Sequence, residues 1–194
     1  MEESSFISEI LLNRIASGDQ RAFQSFYDIV YPTVYRFTRY FLHNENDCED
    51  VVAEVFYIIW KQRDTLLSIQ DLKAWLYIVS RNEAYAYLKQ KEKYFNISID
   101  DIEIKLYVDT TAIDSKLIEE DLLNILNKAI DDLPERCKLI FLMVREERLK
   151  YKEIAHILSI TEGTVAQQMH IAIRKIASII YKYDPSLRFN RRGE

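Results

Sequence analysis

The polar side chains that follow Thr161 have the types and the spacing needed to read duplex DNA. A glutamine amide can bond in two places to adenine in the major groove, and arginine or lysine can neutralise backbone phosphates. A threonine hydroxyl and a free backbone N–H at a helix start can hold a phosphate. The candidate contacts are Lys152, Thr164, Gln167, Gln168, Arg174 and Lys175, and His170 either joins them or is half-buried. These residues predict a protein that reads DNA.

Two helices joined by a tight turn must position these side chains. The first spans residues 151–158 and has the small residue Ala155 where two helices must cross closely. The second begins after Thr161, which can cap it. Its apolar residues recur at the helical period, namely Val165, Met169, Ala172 and Ile176. This pattern is typical of a helix-turn-helix, whose second helix lies in the major groove.

The sequence shows no group of residues typical of a catalytic site or a metal site. The sequence has no glycine-rich phosphate loop, no metal-ligand spacing among three histidines and two cysteines, and no nucleophile–base pair. We therefore predict no enzyme activity, no metal, no cofactor and no small-molecule substrate. Cys48 and Cys137 fall on different predicted helices, which favours reduced thiols in the cytoplasm. No apolar run reaches transmembrane length, and the acidic start at Met1 is unlike a signal peptide.

The composition and the charge pattern predict an all-α protein with two kinds of surface. Only three glycines and three prolines occur in 194 residues, so turn formers are scarce. The net charge of −5 is unevenly distributed, because residues 61–95 and 134–194 are net basic, at +3 and +5. The acidic segments are 1–60, 96–117 and 118–133. Basic segments favour contact with phosphates, whereas acidic segments favour a basic protein partner.

Periodicity divides the chain into two small helical domains. They span residues 9–95 and 117–183, and an extended acidic linker over 96–116 joins them. Isoleucines alternate with polar residues in the linker, without an obvious strand partner. A basic tail follows over 184–194.

A proline and a possible capping box predict local features of two N-terminal helices. Pro32 lies inside a helical segment over 22–42, which predicts a kink or a fresh helix start there. Asn46 with Glu49 resembles a capping box for a helix over 47–62. The inward face of that helix is predicted to be Val51, Val52, Val55, Phe56 and Ile59.

Six short motifs occur in order along almost the whole chain. They are Gly18-Asp-Gln-Arg-Ala-Phe23, Cys48-Glu-Asp-Val-Val-Ala-Glu-Val-Phe56 with Trp60, Ala74-Trp-Leu-Tyr-Ile-Val-Ser-Arg-Asn82, Leu133-Pro-Glu135, Tyr151-Lys-Glu-Ile-Ala155 and Gly163-Thr-Val165. Together they resemble an extracytoplasmic-function (ECF) sigma factor, a small member of the sigma-70 superfamily. The resemblance covers about residues 9–183.

The resemblance implies an initiation factor for bacterial RNA polymerase. The domain over 9–95 would correspond to sigma region 2, which docks on core polymerase and recognises and melts the −10 promoter element. The domain over 117–183 would correspond to region 4, which reads the −35 element as duplex. The implied partners are core RNA polymerase, promoter DNA and an anti-sigma protein, often membrane-bound, which holds such a factor inactive.

The resemblance also assigns roles to residues of the first domain. The third helix of the family docks on a coiled coil of the largest polymerase subunit, and the matching candidates here are Asp47, Asp50, Glu54 and Phe56. Opened −10 DNA offers unstacked bases for capture, and the matching candidates are Ser68, Gln70, Arg81, Asn82, Tyr85 and Lys89. Asn82 is the strongest of these for contact with a flipped base, because an amide offers both donors and acceptors.

Two positions depart from the common family pattern. Ala53 stands where the family often has glutamine. The run Ala166-Gln-Gln-Met-His-Ile171 stands where many members carry several lysines and arginines, and it resembles a subgroup common in Bacteroidetes. Base contacts at the −35 element should therefore be fewer or differently directed.

An alternative interpretation is a helix-turn-helix transcriptional regulator with an N-terminal helical sensing or dimerisation domain. It explains the C-terminal half and predicts a ligand pocket or a dimer interface. It leaves the acidic third helix and the motif over 74–82 unexplained.

Overall fold

The computed structural model describes residues 7–42, 44–95 and 118–183. Every regular element within these ranges is helical, which confirms the all-α fold class. The chain divides into two compact units, Met1–Ile104 and Lys105–Glu194. The predicted linker over 96–116 and the predicted tail over 184–194 lie outside the described residues.

The first unit packs four α-helices and one 3-10 helix around a core of aliphatic and aromatic side chains. The elements are α1 (Glu9–Ala16), α2 (Gln20–Thr38), α3 (Glu45–Lys61), the 3-10 helix (Arg63–Ser68) and α4 (Leu72–Phe95). The long helix α2 contacts α1, α3 and α4, and α1 also packs on the 3-10 helix. Phe26 and Phe37 of α2 are fully buried. Burial of each such side chain stabilises the fold by about 1.5–3 kcal/mol.

The buried face of α3 is the one that the periodicity predicts. Val51, Val52, Val55, Phe56 and Ile59 are all buried. Their spacing of three and four residues forms one stripe along the helix. Because this stripe packs on α2 and α4, the opposite face of α3 is left for solvent or a partner.

Of the two outcomes expected at Pro32, the fresh helix start is wrong, because α2 continues through this residue as one helix, and the kink stays a prediction. A proline in a helix interior loses one backbone hydrogen bond and costs about 3 kcal/mol. Val30 and Val34 are buried on either side of the exposed proline. The packing of both halves of α2 therefore outweighs the local cost. The helix ends at Thr38 and not at Leu42.

The start of α3 also differs from the predicted capping box. Asn44 and not Asn46 is the N-cap, since its Oδ1 accepts hydrogen bonds from the backbone N–H groups of Asn46 and Asp47, at 2.9 and 3.3 Å. Both asparagines suit a cap chemically. The helix that begins at Glu45 is two residues longer at this end than predicted.

The second unit consists of four helices that pack mainly on the last one. They are α5 (Ile118–Asp131), α6 (Glu135–Arg145), α7 (Tyr151–Leu158) and α8 (Glu162–Tyr183). The helices α5, α6 and α7 all contact α8. The predicted apolar stripe of α8 is confirmed, because Val165, Met169, Ala172 and Ile176 are buried.

The helix-turn-helix is formed by α7, a short turn and α8. Ser159 ends α7 in the left-handed conformation, with φ of 55°. Thr161 then caps α8, since its Oγ1 accepts a hydrogen bond from the backbone N–H of Thr164 at 3.1 Å. Ala155 is buried between the two helices, as expected for a close crossing. The helix α8 is therefore the second helix of the helix-turn-helix.

Candidate functional site

Two exposed carboxylates mark the outer face of α3. Asp50 and Glu54 lie four residues apart, so both point the same way from the helix. The buried Val52 and Ile59 occupy the opposite face and fix this orientation. The two carboxylates can therefore meet one basic surface together.

Asp47, a third carboxylate predicted for this surface, points toward α4. Its Oδ1 accepts a hydrogen bond from the Tyr87 hydroxyl at 2.7 Å, and its Oδ2 pairs with Nζ of Lys91. Burial works to raise the pKa of the Asp47 carboxyl, but the hydrogen bonds from Lys91 and Tyr87 outweigh it and lower this pKa. The bond to Asp47 raises the pKa of Tyr87 to about 12, so its hydroxyl stays a donor at neutral pH.

Phe56, the fourth candidate on α3, belongs to the core. Its side chain is 5% exposed, and its ring centroid lies 4.4 Å from that of Tyr27 on α2. It forms part of the wall of a groove between α2 and α3. Phe56 therefore shapes the surface beside Asp50 and Glu54 more than it contributes area to it.

This aromatic groove was not predicted as a site from the sequence. It is lined mainly by rings, namely Phe23, Tyr27, Tyr31, Phe56, Tyr57 and Trp60. Tyr57 is 57% exposed and follows Glu54 by three residues on the same helix. The signal that could have found the groove was the recurrence of aromatic residues at helical spacing in α2 together with those near the end of α3.

The segment before α4 presents small polar side chains. Ser68 ends the 3-10 helix, and its hydroxyl donates to the backbone oxygen of Thr65 at 2.6 Å. Gln70 is exposed, and the Asp71 side chain accepts a hydrogen bond from the N–H of Ala74 at 2.9 Å. Leu66 is fully buried where the 3-10 helix meets α1. A buried anchor thus holds a short, exposed polar segment.

Three candidate residues of α4 share one stripe of the helix. Asn82, Tyr85 and Lys89 follow each other by three and four residues, and all three are exposed. The ring of Tyr85 packs edge-on against Phe41, with centroids 5.4 Å apart. The Asn82 oxygen accepts two hydrogen bonds from the guanidinium of Arg81. The helix thus combines an amide, an aromatic face and a cation along about two turns.

The outer face of α8 carries polar and basic side chains. Gln167, His170 and Arg174 are exposed at spacings of three and four residues. Lys175 is also exposed, as is Lys152 on α7. The open position of His170 is thereby resolved in favour of solvent exposure. This face has hydrogen-bonding groups near its start and cations further along.

Two candidates at the start of α8 are engaged within the protein. The backbone N–H of Thr164 donates to Thr161 and its hydroxyl lies 2.9 Å from the Thr161 hydroxyl, so this N–H is not a free phosphate donor. Gln168 is half-buried, and its Oε1 accepts a hydrogen bond from Sγ of Cys137 at 2.8 Å. That bond ties α8 to α6.

Within 7–42, 44–95 and 118–183, no group of three or more histidine, cysteine or acidic residues is arranged to hold a metal ion. Both cysteines are buried and free. Burial raises the pKa of the Cys48 thiol to about 11.

Among the described residues, no helix has the length and the hydropathy that a membrane span requires.

Two family models match the two units separately. The model for sigma-70 region 2 matches residues 26–94, and the model for sigma-70 region 4 matches residues 123–176. Together these matches cover well over half of the chain. The first contains α3, the 3-10 helix and most of α4, and the second contains the helix-turn-helix.

Curated relatives extend the similarity beyond the two models. The chain is 26% identical over 191 residues to the ECF RNA polymerase sigma-E factor of Escherichia coli (strain K12), which covers 93% of this chain and 96% of the relative. It is 23% identical over 166 residues to the ECF RNA polymerase sigma factor SigW of Bacillus subtilis (strain 168), which covers 82% and 89%.

Solved structures share the fold. The sigma factor RpoE from Bartonella quintana, solved with the anti-sigma factor NepR, has a TM-score of 0.62 at 20% identity, over 84% of this chain and 98% of that one. CnrH, solved with the cytosolic domain of CnrY, has a TM-score of 0.58 at 19% identity, over 90% and 97%.

Proposed function

The chain belongs to the sigma-70 family as an extracytoplasmic-function (ECF) sigma factor, and from this membership we propose how its surfaces serve transcription initiation. A factor of this kind binds core RNA polymerase and directs initiation at specific promoters. The observation that carries the function is the order of the two matches, region 2 on 26–94 and region 4 on 123–176. The polymerase supplies the catalysis, and the factor itself catalyses no reaction.

The outer face of α3 docks on a basic surface of core polymerase. Asp50 and Glu54 supply charge, which speeds and orients association. The neighbouring Tyr57 and the aromatic groove supply apolar area, and buried aromatic side chains contribute much of the affinity at interfaces. Phe56 acts from below by holding the walls of the groove.

The stripe on α4 captures the opened −10 element. Unstacked bases bind to aromatic faces and to polar groups that reach their edges. Asn82 contacts the edge of a flipped base, Tyr85 offers a stacking face, and Lys89 contacts the backbone. Ser68 and Gln70 add polar groups from the segment before α4, and Arg81 acts on Asn82.

The outer face of α8 reads the −35 element in the major groove. Gln167 reaches base edges, while Lys152, Arg174 and Lys175 contact phosphates. His170 lies between these two groups, and Thr164 and Gln168 act mainly by holding the start of α8 in position. The polar run over 166–171 resembles a subgroup common in Bacteroidetes, and from it we infer few direct base contacts.

We extend the same reasoning to partners and compartment. We infer that an anti-sigma protein binds and inhibits the free factor, since RpoE from Bartonella quintana was solved in complex with the anti-sigma factor NepR. Such an inhibitor would cover the acidic and basic surfaces described above, because these surfaces must be free for polymerase and DNA. A factor that meets polymerase and chromosomal DNA acts in the cytoplasm.

A helix-turn-helix regulator with a sensing domain is not favoured. That alternative leaves residues 9–95 as a ligand-binding or dimerisation domain, whereas this part of the chain matches sigma-70 region 2. The sigma factor hypothesis and the regulator hypothesis differ in one measurable property, which is affinity for core polymerase.

The test is a competition for core RNA polymerase between this protein and a fluorescent reference sigma factor. The proposal predicts displacement of the reference in proportion to concentration, weakened by added salt because charge contributes to docking. Absence of displacement by folded, inhibitor-free protein would contradict it.

A further inference from the structure

We propose that Asp47, Tyr87 and Lys91 form a clamp that holds the second half of α4 on α3, and that Asp47 is a positioning residue for capture of the −10 strand and not a docking residue for polymerase. This inference rests on the proposed function of α4. It assigns Asp47 a role different from the one that the family resemblance implies.

The first observation is the geometry of Asp47. Both carboxylate oxygens are engaged by α4, Oδ1 by the Tyr87 hydroxyl at 2.7 Å and Oδ2 by Nζ of Lys91. The Asp47 side chain is 18% exposed, whereas Asp50 and Glu54 lie on the exposed face of the same helix. A carboxylate with both oxygens bonded internally has little to offer an external basic group.

The second observation concerns the packing of α4. The first half of the helix is anchored by buried residues up to Ala84, including Tyr77, whose ring packs on Phe37 at 4.7 Å. From Tyr85 to Lys91 no side chain is buried. In this half, the polar bonds of Asp47 to Tyr87 and Lys91 therefore add to the packing of the half-buried Tyr87 and Leu88.

The third observation is the arrangement of faces. Tyr87 and Lys91 follow Tyr85 and Lys89 by two residues, which is a rotation of about 200° around an α-helix. The clamp residues thus face α3 while Tyr85 and Lys89 face away from it. Fixing one side of the helix sets the direction in which the other side points.

The ion pair also neutralises Lys91. Its ammonium lies against Asp47 and 5.8 Å from the centroid of the Tyr87 ring. A lysine held in this way is a weaker phosphate contact than the exposed Lys89. The clamp therefore concentrates the positive charge of this half of α4 on the face that meets DNA.

The test uses reversal of the two charges. Asp47→Lys and Lys91→Asp each remove the pair, and the double variant restores it with the charges exchanged. Holoenzyme is titrated with a fluorescent oligonucleotide that carries the non-template −10 strand of a promoter mapped with the wild-type protein. Affinity for core polymerase and thermal unfolding are measured on the same variants. Asp28→Asn, an exposed carboxylate of α2, serves as the control.

The clamp predicts that each single reversal weakens capture of the −10 strand about tenfold, and that the double variant regains most of that loss, as coupled residues do. Core affinity should stay within about twofold of wild type, since exposed docking charges are untouched. Tyr87→Phe should give a smaller loss, about threefold, because one hydrogen bond is removed.

Parallel loss of core affinity and capture in Asp47→Lys would overturn the proposal, because it would return Asp47 to the docking surface. Failure of the double variant to recover would overturn it as well. If wild-type holoenzyme captured no −10 strand at all, the proposed function of α4 itself would be contradicted. Unfolding temperatures equal to that of the wild type separate positioning from loss of structure.

Discussion

The guanidinium of Arg81 donates two hydrogen bonds to Oδ1 of Asn82, from Nε at 3.2 Å and from Nη2 at 2.8 Å. Both groups stand at the same level of α4, one residue apart. With its oxygen engaged, the exposed Asn82 amide offers its N–H groups to a base. The pair therefore favours a base that presents acceptors.

The first prediction follows from this pair. Arg81→Met frees the Asn82 oxygen and should reduce discrimination among the four bases at the captured position by about fivefold or more, since a good amide–base pair contributes about 1–3 kcal/mol. The measurement is transcription from promoters with each base at that position.

The quantity to compare is the ratio of transcription between promoters with different bases at that position, because Arg81 also carries charge. Loss of a phosphate contact weakens all sequences alike and leaves that ratio unchanged. Arg81→Lys keeps the charge but loses the pair of hydrogen bonds to the Asn82 oxygen. Its discrimination among bases should therefore fall between those of wild type and Arg81→Met. An unchanged base ratio in both variants would reject the role of the pair.

The second prediction concerns polymerase docking. Asp50→Asn and Glu54→Gln should each weaken core affinity about two- to fivefold, as expected for charges that remain partly solvated. The loss should shrink as ionic strength rises, because screening already weakens the wild-type contact. Core affinity is measured by competition at several salt concentrations.

Glu9→Gln supplies the matched control for docking, since Glu9 is an exposed carboxylate on α1, away from α3. It should leave core affinity unchanged. Equal losses in all three variants would mean that overall negative charge, and not a surface on α3, attracts the polymerase.

The third prediction compares two neighbouring glutamines of α8. Gln167 is exposed, whereas Gln168 accepts the bond from Cys137. Gln167→Ala should lower transcription from promoters that depend on the −35 element and leave protein stability unchanged. Gln168→Ala should instead lower the free energy of unfolding by about 0.5–1.5 kcal/mol, the usual contribution of a hydrogen bond.

Stability is measured by urea unfolding, and −35 dependence by comparing promoters with intact and scrambled −35 sequences. A large loss of −35 reading in Gln168→Ala with no loss of stability would show that Gln168 contacts DNA directly.

The fourth prediction concerns the reactivity of Cys48. Burial raises the pKa of this thiol from 9.0 to about 11, so at any pH below 9 its reactive thiolate is about a hundredfold scarcer than in a free thiol. Alkylation by iodoacetamide at pH 8 should therefore be slow in the folded protein and fast in urea. Rapid modification of Cys48 under native conditions would contradict the buried, protonated thiol.

Apolar periodicity made much of the fold predictable. The stripes on α3 and α8 recur with the helical period, and their residues are buried as expected. The all-α class followed from the scarcity of glycine and proline. Such features are local, since a helix in water must bury one face wherever it packs.

Features decided by tertiary contacts were not predictable. Asn44 and Asn46 have the same side-chain chemistry, so the local sequence did not distinguish which of them caps α3. Pro32 stays within α2 because residues on both sides of it are buried. The pairing of Asp47 with Lys91 joins residues 44 positions apart, and no local pattern reports it. For that reason Asp47 resembled a surface carboxylate in the sequence.

Transcription in a purified system shows whether this chain makes core RNA polymerase promoter-specific. Core polymerase alone, and core with this protein, are supplied with a library of genomic fragments, and the 5′ ends of the transcripts are sequenced. We expect a discrete set of start sites that require the protein and share common −10 and −35 sequences. Identical transcripts with and without the protein, in a preparation free of inhibitor, would contradict it.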